Sequence, residues 1–294
     1  MVKGDRIVAV RTDLALEAHE MCKSEAKDSA EIDGVSAVVE NYDGVNITRV
    51  NITNDNGSRR LGKAIGRYVT IEAANLKYSK SEFDTVCSLI CDEIHAMTDI
   101  KPESLTLVVG LGNGKITPDA LGTRVIDNLM VTHHIKRYMK EILSDNISHV
   151  CAIVPGVLGT TGIETVDIIK SITEKINPQL VIVIDALAAA DIRRVSTTVQ
   201  IADTGIQPGA GVGNNRECIN EEVLGAKVIA IGVPTVIDAA SISNAEIPED
   251  LAPLMVTTQD IDTVIDRMAH AVAGGINLAL HKDITMDEIE NYVG

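Results

Sequence analysis

Two short aliphatic runs, each leading into a turn and an acid, constrain the fold of this chain more than any other feature. The first is Leu105-Thr-Leu-Val-Val-Gly110, followed by Leu111-Gly-Asn-Gly-Lys-Ile-Thr-Pro-Asp119-Ala-Leu-Gly122. The second is Leu180-Val-Ile-Val-Ile184, followed at once by Asp185. Unbroken apolar runs of this length, rich in β-branched residues, read as strands buried on both faces. In an open parallel sheet, ligands bind outside the carboxyl ends of the strands. Asp119 and Asp185 both fall there, so the chain advertises a two-carboxylate site.

The pattern around these runs is an alternation of strands and helices. Strands are expected at 105–110, 150–154, 180–184 and 228–232. Helices are expected at about 118–143 and 163–175, with a further element near 186–195. A helix over 259–280 would place Ile261, Val264, Ile265, Met268 and Val272 on one face, and a last short helix would occupy 284–293. Upstream, residues 33–57 alternate apolar and polar residues, with Asp43-Gly44 and Asn56-Gly57 as turn signals, which suggests a hairpin or meander. Thr70-Ile71 begins another strand or a short helix entry, and Phe83, Val86, Ile90 and Ile94 repeat at helical spacing over 81–98. The expected class is α/β, a mostly parallel sheet covered by helices on both faces, with an amino-terminal β-rich decoration. No linker or internal repeat divides the chain.

Composition narrows the function classes. With no Trp and a single Phe among 294 residues, the core must be aliphatic, which suits such a sheet. A net charge of −16 argues against direct binding of nucleic acid. Cys22, Cys87, Cys91, Cys151 and Cys218 form no CxxC pair, and a reducing compartment fits them best. The amino terminus offers only Ile7-Val-Ala-Val10, too short for a signal peptide, and no apolar run reaches the roughly 20 residues that span a bilayer. The expectation is a soluble cytoplasmic protein without membrane contact.

Several motifs point to chemistry the chain does not carry. Gly110-Leu-Gly112-Asn-Gly114-Lys115 has glycines at the wrong spacing for a dinucleotide fingerprint, and Ile116 stands where a phosphate loop needs Ser or Thr. No HExxH is present, the histidines do not cluster with cysteines at zinc spacing, and Gly-x-Ser-x-Gly is absent. No cofactor and no metal are expected. His133-His134, beside Lys136 and Arg137, reads as a solvated or capping pair. Thr117-Pro118-Asp119 also suits a helix start, with Thr117 as N-cap and Asp119 as a first-turn acid. Asp185 has no such bland role, because an acid directly after five apolar strand residues needs a partner or a cleft. Gly156-Val-Leu-Gly-Thr-Thr-Gly162 either presents backbone donors to a substrate or merely turns the chain. The glycine-rich loop 206–213 reads as a rim or subunit-contact loop.

Two carboxylates held close cannot both ionise cheaply, so one pKa rises and the pair shares a proton. One can then activate water as a base while the other polarises a carbonyl or protonates a leaving amine. That is peptide hydrolysis without metal or nucleophilic serine.

Several stretches carry a family resemblance: Val10-Arg-Thr-Asp-Leu-Ala15, Gly110-Leu-Gly-Asn113, Thr117-Pro-Asp-Ala-Leu-Gly122, Val154-Pro-Gly-Val-Leu-Gly159, Thr161-Gly-Ile-Glu-Thr165, Ile184-Asp-Ala-Leu-Ala188, Asp203-Thr-Gly205, Gly211-Val-Gly-Asn214 and Ile229-Ala-Ile-Gly-Val-Pro-Thr-Val236. In this order they resemble the germination protease of spore-forming bacteria, from about residue 10 to the carboxyl end. The resemblance implies an endopeptidase that degrades small acid-soluble spore proteins during germination. It further implies a self-processing zymogen, a homotetramer, location in the developing spore, and a fold similar to the hydrogenase maturation peptidases. By the same comparison the catalytic aspartates correspond to Asp119 and Asp185. Gly110, Gly112, Asn113, Gly159, Thr161, Gly162, Glu164 and Asp203, in the matching stretches, are expected to bind substrate or shape the site. The family's substrates are cut after an acid and before a large apolar residue, and Thr12-Asp13-Leu14-Ala15-Leu16-Glu17 mimics such a segment. Self-cleavage is therefore expected between Asp13 and Leu14, with residues 1–13 as propeptide and 14–294 as a single peptidase domain. The chain is shorter than typical members, with trimmed regions near 55–80 and 243–253. Two other readings remain: a maturation peptidase that reads a metal in its substrate, which would be chelator-sensitive, and a non-catalytic protein retaining the fold, which would tolerate Asp119→Asn.

Overall fold

Asp43 and Gly44 both take positive φ, 50° and 91°, and close a tight hairpin between β1 (Val35–Tyr42) and β2 (Val45–Ile52). They belong to a computed structural model that describes residues 12–25, 32–139, 146–212, 216–242 and 254–293. Most of the expected leader, the shortened segment 243–253, residues 140–143 of the expected long helix and Gly213-Asn214 lie outside the described residues. Ahead of the hairpin runs α1 (Ala15–Glu25). The second turn signal, Asn56-Gly57, opens α2 (Asp55–Leu61) instead, because the Asn54 side chain caps it by accepting from the Gly57 N–H at 2.9 Å.

β3 (Gly66–Glu72) follows, then α3 (Lys80–Met97), which buries Phe83, Val86, Ile90 and Ile94 as their spacing predicts. β4 is Leu105–Gly110. The single long helix expected after it is broken into a 3₁₀ turn over Thr117–Asp119, α4 (Leu121–Asp127) and α5 (His133–Tyr138). The break has a tertiary cause: buried Asn277 accepts from Met130 N–H and donates to Asn128 C=O, taking up backbone groups that a continuing helix would pair.

The chain continues through β5 (His149–Ile153), α6 (Leu158–Thr161), α7 (Thr165–Ile176), β6 (Leu180–Ala189) and β7 (Thr198–Ala202). It closes with α8 (Glu221–Leu224), β8 (Lys227–Asp238), α9 (Ala239–Ile242), β9 (Met255–Val256), α10 (Ile261–Leu280) and α11 (Met286–Val293).

The nine strands found among the described residues form one sheet in the order β1-β2-β3-β7-β8-β6-β4-β5, with β9 added to the end of β8. The pairs β5·β4, β4·β6 and β6·β8 are parallel and form the centre of the α/β fold. The amino-terminal strands join antiparallel to it through β7 rather than forming a separate layer.

Side-chain alternation along the central strands sends Val108, Ile182, Ile184 and Ile229 to a face covered by α3, α4 and α10. Leu107, Val109, Val181, Val183 and Val228 point to the other face, under α7 and α8. Ala15 and Ala18 of α1 pack on this second face beside Val50, Ile52 and Tyr68. Both faces are therefore covered by helices, as the unbroken apolar runs require.

One element differs in a way that shapes the site. β6 does not stop at Ile184 but runs on to Ala189, because β8 continues alongside it past a register shift at Leu187/Ala188. Its other neighbour, β4, ends at Gly110 opposite Ile184. Asp185 thus lies within a strand, at the first residue where β6 has lost one partner.

Candidate active site

The cleft opens where β4 ends. Gly110 closes the strand with its α-carbon against Gly122 of α4; a Cβ there would lie 2.3 Å from the Gly122 carbonyl oxygen. Gly112 has φ +95°, and a Cβ on it would come within 2.0 Å of the Asp119 carbonyl oxygen. Only glycine meets both demands, and the result is a tight loop that folds back on itself. Asn113 N–H donates to the Asp119 carboxylate at 2.8 Å, and its side-chain oxygen accepts from Lys115 N–H at 3.1 Å. Thr235 of β8 holds the same turn by donating to Pro118 C=O at 2.7 Å. Thr117 does not cap it, since Ile116 occupies the N-cap position without a side-chain bond, and Asp119 is held by Asn113 rather than by a helix start.

Asp119 and Asp185 line one cleft of about 510 Å³, together with Gly112, Asn113 and Gly159. Asp185 is 6% exposed, and one of its oxygens accepts from Ala186 N–H at 2.9 Å. Burial drives its pKa well above the usual carboxylate range, and the charges of Asp119 and Asp13 push the same way against the Ala186 amide. Burial also raises Asp119, opposed by the Asn113 amide. Burial and the Asp119 charge favour a protonated Asp185 in the same cleft as the less buried Asp119, the state suited to acid and base work on one bond.

The amino-terminal segment enters this cleft. Asp13 lines it; its N–H donates to Ala188 C=O at 3.0 Å, and its carboxylate accepts from Ala188 N–H at 2.8 Å. Burial raises the Asp13 pKa, countered by the Ala188 amide, the Lys63 charge and the Gly211 amide. Leu14 is fully buried in an apolar pocket of Leu187, Ala189, Val195 and Ile237. Glu17, also buried, accepts from Ala190 N–H at 2.7 Å and Asp191 N–H at 2.9 Å.

Other sequence candidates fall elsewhere. Thr161 is exposed and ties its own loop by accepting from Ile163 N–H, and Gly162 is the left-handed cap of α6 at φ +73°. Glu164 pairs with Arg216 at 3.2 Å, and it is Arg216 that reaches the cleft wall. Asp203 does not join the site. It binds Arg67 through N–H (2.8 Å) and Nε (2.9 Å), and it ends a strand that runs antiparallel to β8, so its level is that of the middle of the parallel strands. His133 meets His149 at 3.3 Å at the amino end of β5, away from the cleft.

The glycine-rich loop after β7 does form a rim: Gln207 and Gly209 line the cleft, and Gly211 sits so close to Asp13 that a Cβ would lie 2.2 Å from its carboxylate. Sequence reasoning missed Lys63 and Gln200, which contact the Asp13 segment. Gln200 carried a signal, a polar residue inside the apolar strand Thr198-Val-Gln-Ile-Ala202. Lys63 carried none.

Fold and cleft together define an α/β protein with its site at the carboxyl ends of the parallel strands, where a buried acid, a half-buried acid and a bound chain segment meet. The model of the family described as germination protease matches residues 15–252. Curated germination proteases of Clostridium perfringens (strain ATCC 13124) and Clostridium tetani are 42% and 39% identical, each over 97% of this chain and 99% and 100% of their own length. That of Caldanaerobacter subterraneus subsp. tengcongensis is 41% identical over 96% of this chain and 98% of its own. The chain belongs to the germination protease family and is a peptidase. Among solved structures it is similar to the [NiFe] hydrogenase maturation protease HycI of Thermococcus kodakarensis, at 18% identity and a TM-score of 0.32, over 63% of this chain and 98% of that one.

Proposed function

We propose that this peptidase is an endopeptidase that cuts with Asp119 and Asp185 and is made as a zymogen processed at its own Asp13–Leu14 bond. The observation that carries the reading is the pair of acids in one cleft, with Asp185 driven toward the protonated state by burial and by the charge of Asp119. Asp119, the less buried acid, is the base that takes a proton from water. Asp185 supplies the proton that the leaving amine needs. Gly112 and Asn113 hold Asp119 in place, and Gly159 with the 206–213 loop walls the cleft.

Zymogen processing is supported by the segment that occupies the cleft. Asp13 lies beside the acids, and the large apolar residue after it fills its own pocket. Residues 1–13 are the propeptide, whose departure opens the cleft, and 14–294 the peptidase domain. The substrates are small acid-soluble spore proteins degraded on germination, the enzyme acts as a homotetramer, and it resides in the cytoplasm of the developing spore. These last assignments rest on the family.

The test is intact mass and amino-terminal sequencing of purified protein held at mildly acidic pH, with Asp119→Asn and Asp185→Asn alongside. A new terminus at Leu14 in wild type alone is expected. Processing that persists in either variant would remove the two-acid mechanism, and a terminus elsewhere would remove the proposed bond.

A further inference from the structure

One carbonyl in the cleft segment is served by two side chains that no part of the two-acid chemistry uses. Lys63 Nζ donates to Asp13 C=O at 2.9 Å and to Thr12 C=O at 3.0 Å. Gln200 Nε2 donates to the same Asp13 C=O at 3.1 Å, while its Oε1 accepts from Ala15 N–H at 2.7 Å. Gln200 therefore straddles Leu14, with its amide orientation set at both ends. Lys63 follows Gly62, the left-handed cap of α2, and its C=O accepts from Ser58 Oγ at 2.7 Å, so the ammonium projects from a pinned loop.

The sheet places Gln200 on the side where Asp185 is. Gln200 of β7 is in register with Gly232 of β8, and Gly232 with Asp185 of β6. Residues in register share a face, so Gln200 and Asp185 point to the same side two strands apart, about 10 Å. The Asp13 backbone lies between them, bonded to Ala188 of β6 on one side and to Gln200 on the other.

An ammonium drawn partly out of water is costly to keep, and among the described residues this half-buried one faces carbonyl oxygens instead of forming an ion pair of its own. Burial lowers the Lys63 pKa, although Asp13 and Glu17 partly oppose the shift. Two donors converging on a carbonyl oxygen are what an acyl-transfer site needs where negative charge develops.

We propose that Lys63 and Gln200 are catalytic residues that hold the carbonyl oxygen of the residue being cut, which in the zymogen is Asp13. The inference rests on the Asp13–Leu14 bond proposed above. Water attacks the Asp13 carbonyl carbon while Asp119 accepts its proton. The carbonyl π pair moves onto oxygen, where Lys63 and Gln200 stabilise it. Collapse breaks the C–N bond, and the Leu14 nitrogen leaves with the proton from Asp185. The products are the Asp13 carboxyl group and the Leu14 amine, and the pair keeps its single proton, now on Asp119.

The alternative is that Lys63 merely tethers the leader, and the test separates the two. Self-cleavage of the full chain is followed by intact mass across pH for wild type, Lys63→Met, Lys63→Arg and Gln200→Leu, with thermal melting run on each. Loss of one such donor slows the reaction by about 100-fold or more, and this is expected for Lys63→Met. Deprotonation of Asp185 imposes an alkaline fall on every variant, and deprotonation of Lys63 adds a second one, which Lys63→Arg should lack while keeping most of the rate, since Arg does not titrate there. Gln200→Leu should slow cleavage without moving that fall. A Lys63→Met chain that cuts as fast as wild type overturns the inference, as does a Lys63→Arg profile whose alkaline side is the same as that of wild type. If wild type itself never cuts at Asp13–Leu14, this inference and the processing reading fail together. If it cuts there and neither Lys63→Met nor Gln200→Leu is slowed, this inference alone fails.

Discussion

Gly112→Ala tests how closely the site depends on one backbone approach. An added Cβ would sit 2.0 Å from the Asp119 carbonyl oxygen, where 3.0 Å is the least that real Cβ contacts show, so the loop must open by about 1 Å (3.0 − 2.0). Displacement of a catalytic group by that distance costs on the order of 100-fold in rate, about 2.7 kcal/mol of barrier. The residue also sits at φ +95°, which adds about 1–2 kcal/mol of backbone strain for alanine. Gly44 provides the control, with φ +91° and nothing within 4 Å of its Cβ position. Gly44→Ala should therefore lose about 1 kcal/mol of stability with unchanged activity. Gly112→Ala should lose more stability and about 100-fold in cleavage. Denaturant unfolding and a self-cleavage time course read both quantities. Wild-type cleavage by Gly112→Ala, or equal losses in the two variants, would refute the reasoning.

Asp185→Asn should be more stable than wild type at neutral pH. A carboxyl whose folded pKa is raised contributes fully below its unfolded value of about 3.9, and that contribution is lost as pH rises through the folded pKa. The stability gap between variant and wild type should thus open above about pH 4 and then level off; urea melts from pH 4 to 8 check it, and a gap independent of pH sinks the reading. Leu14→Ala empties a fully buried pocket and should cost about 2–5 kcal/mol in the same melts. Asp203→Asn, which weakens the pair with Arg67, should cost about 1 kcal/mol and leave the cleavage rate within twofold of wild type; a large loss of rate would return Asp203 to the site.

What the sequence alone determined about this protein is what short-range patterns encode. The runs 105–110 and 180–184 are legible as buried strands because β-branched residues without a polar face suit only a sheet covered on both sides. Asp185 was legible as a candidate because an acid directly after such a run has little else to do, whereas Asp119, beyond the loop after its run, had a helix-start role to weigh against it. Asp43-Gly44 was legible because few residue pairs tolerate two positive φ angles in succession.

The tertiary structure decided whatever depends on which strand lies beside which. Asp203 ends an apolar strand just as the candidate acids do, but β7 runs antiparallel to β8, and strand direction is a property of the whole sheet. The same holds for Asn56-Gly57, turned into a helix start by a cap from Asn54, and for the helix expected over 118–143, interrupted by Asn277 from a distant helix. Lys63, Gln200 and Asp13 are separated by 50 and 187 residues along the chain and meet at one carbonyl group. No local period records such a meeting, because the hydrogen bonds that define it exist only once α2, β7 and the amino-terminal segment have packed over β6.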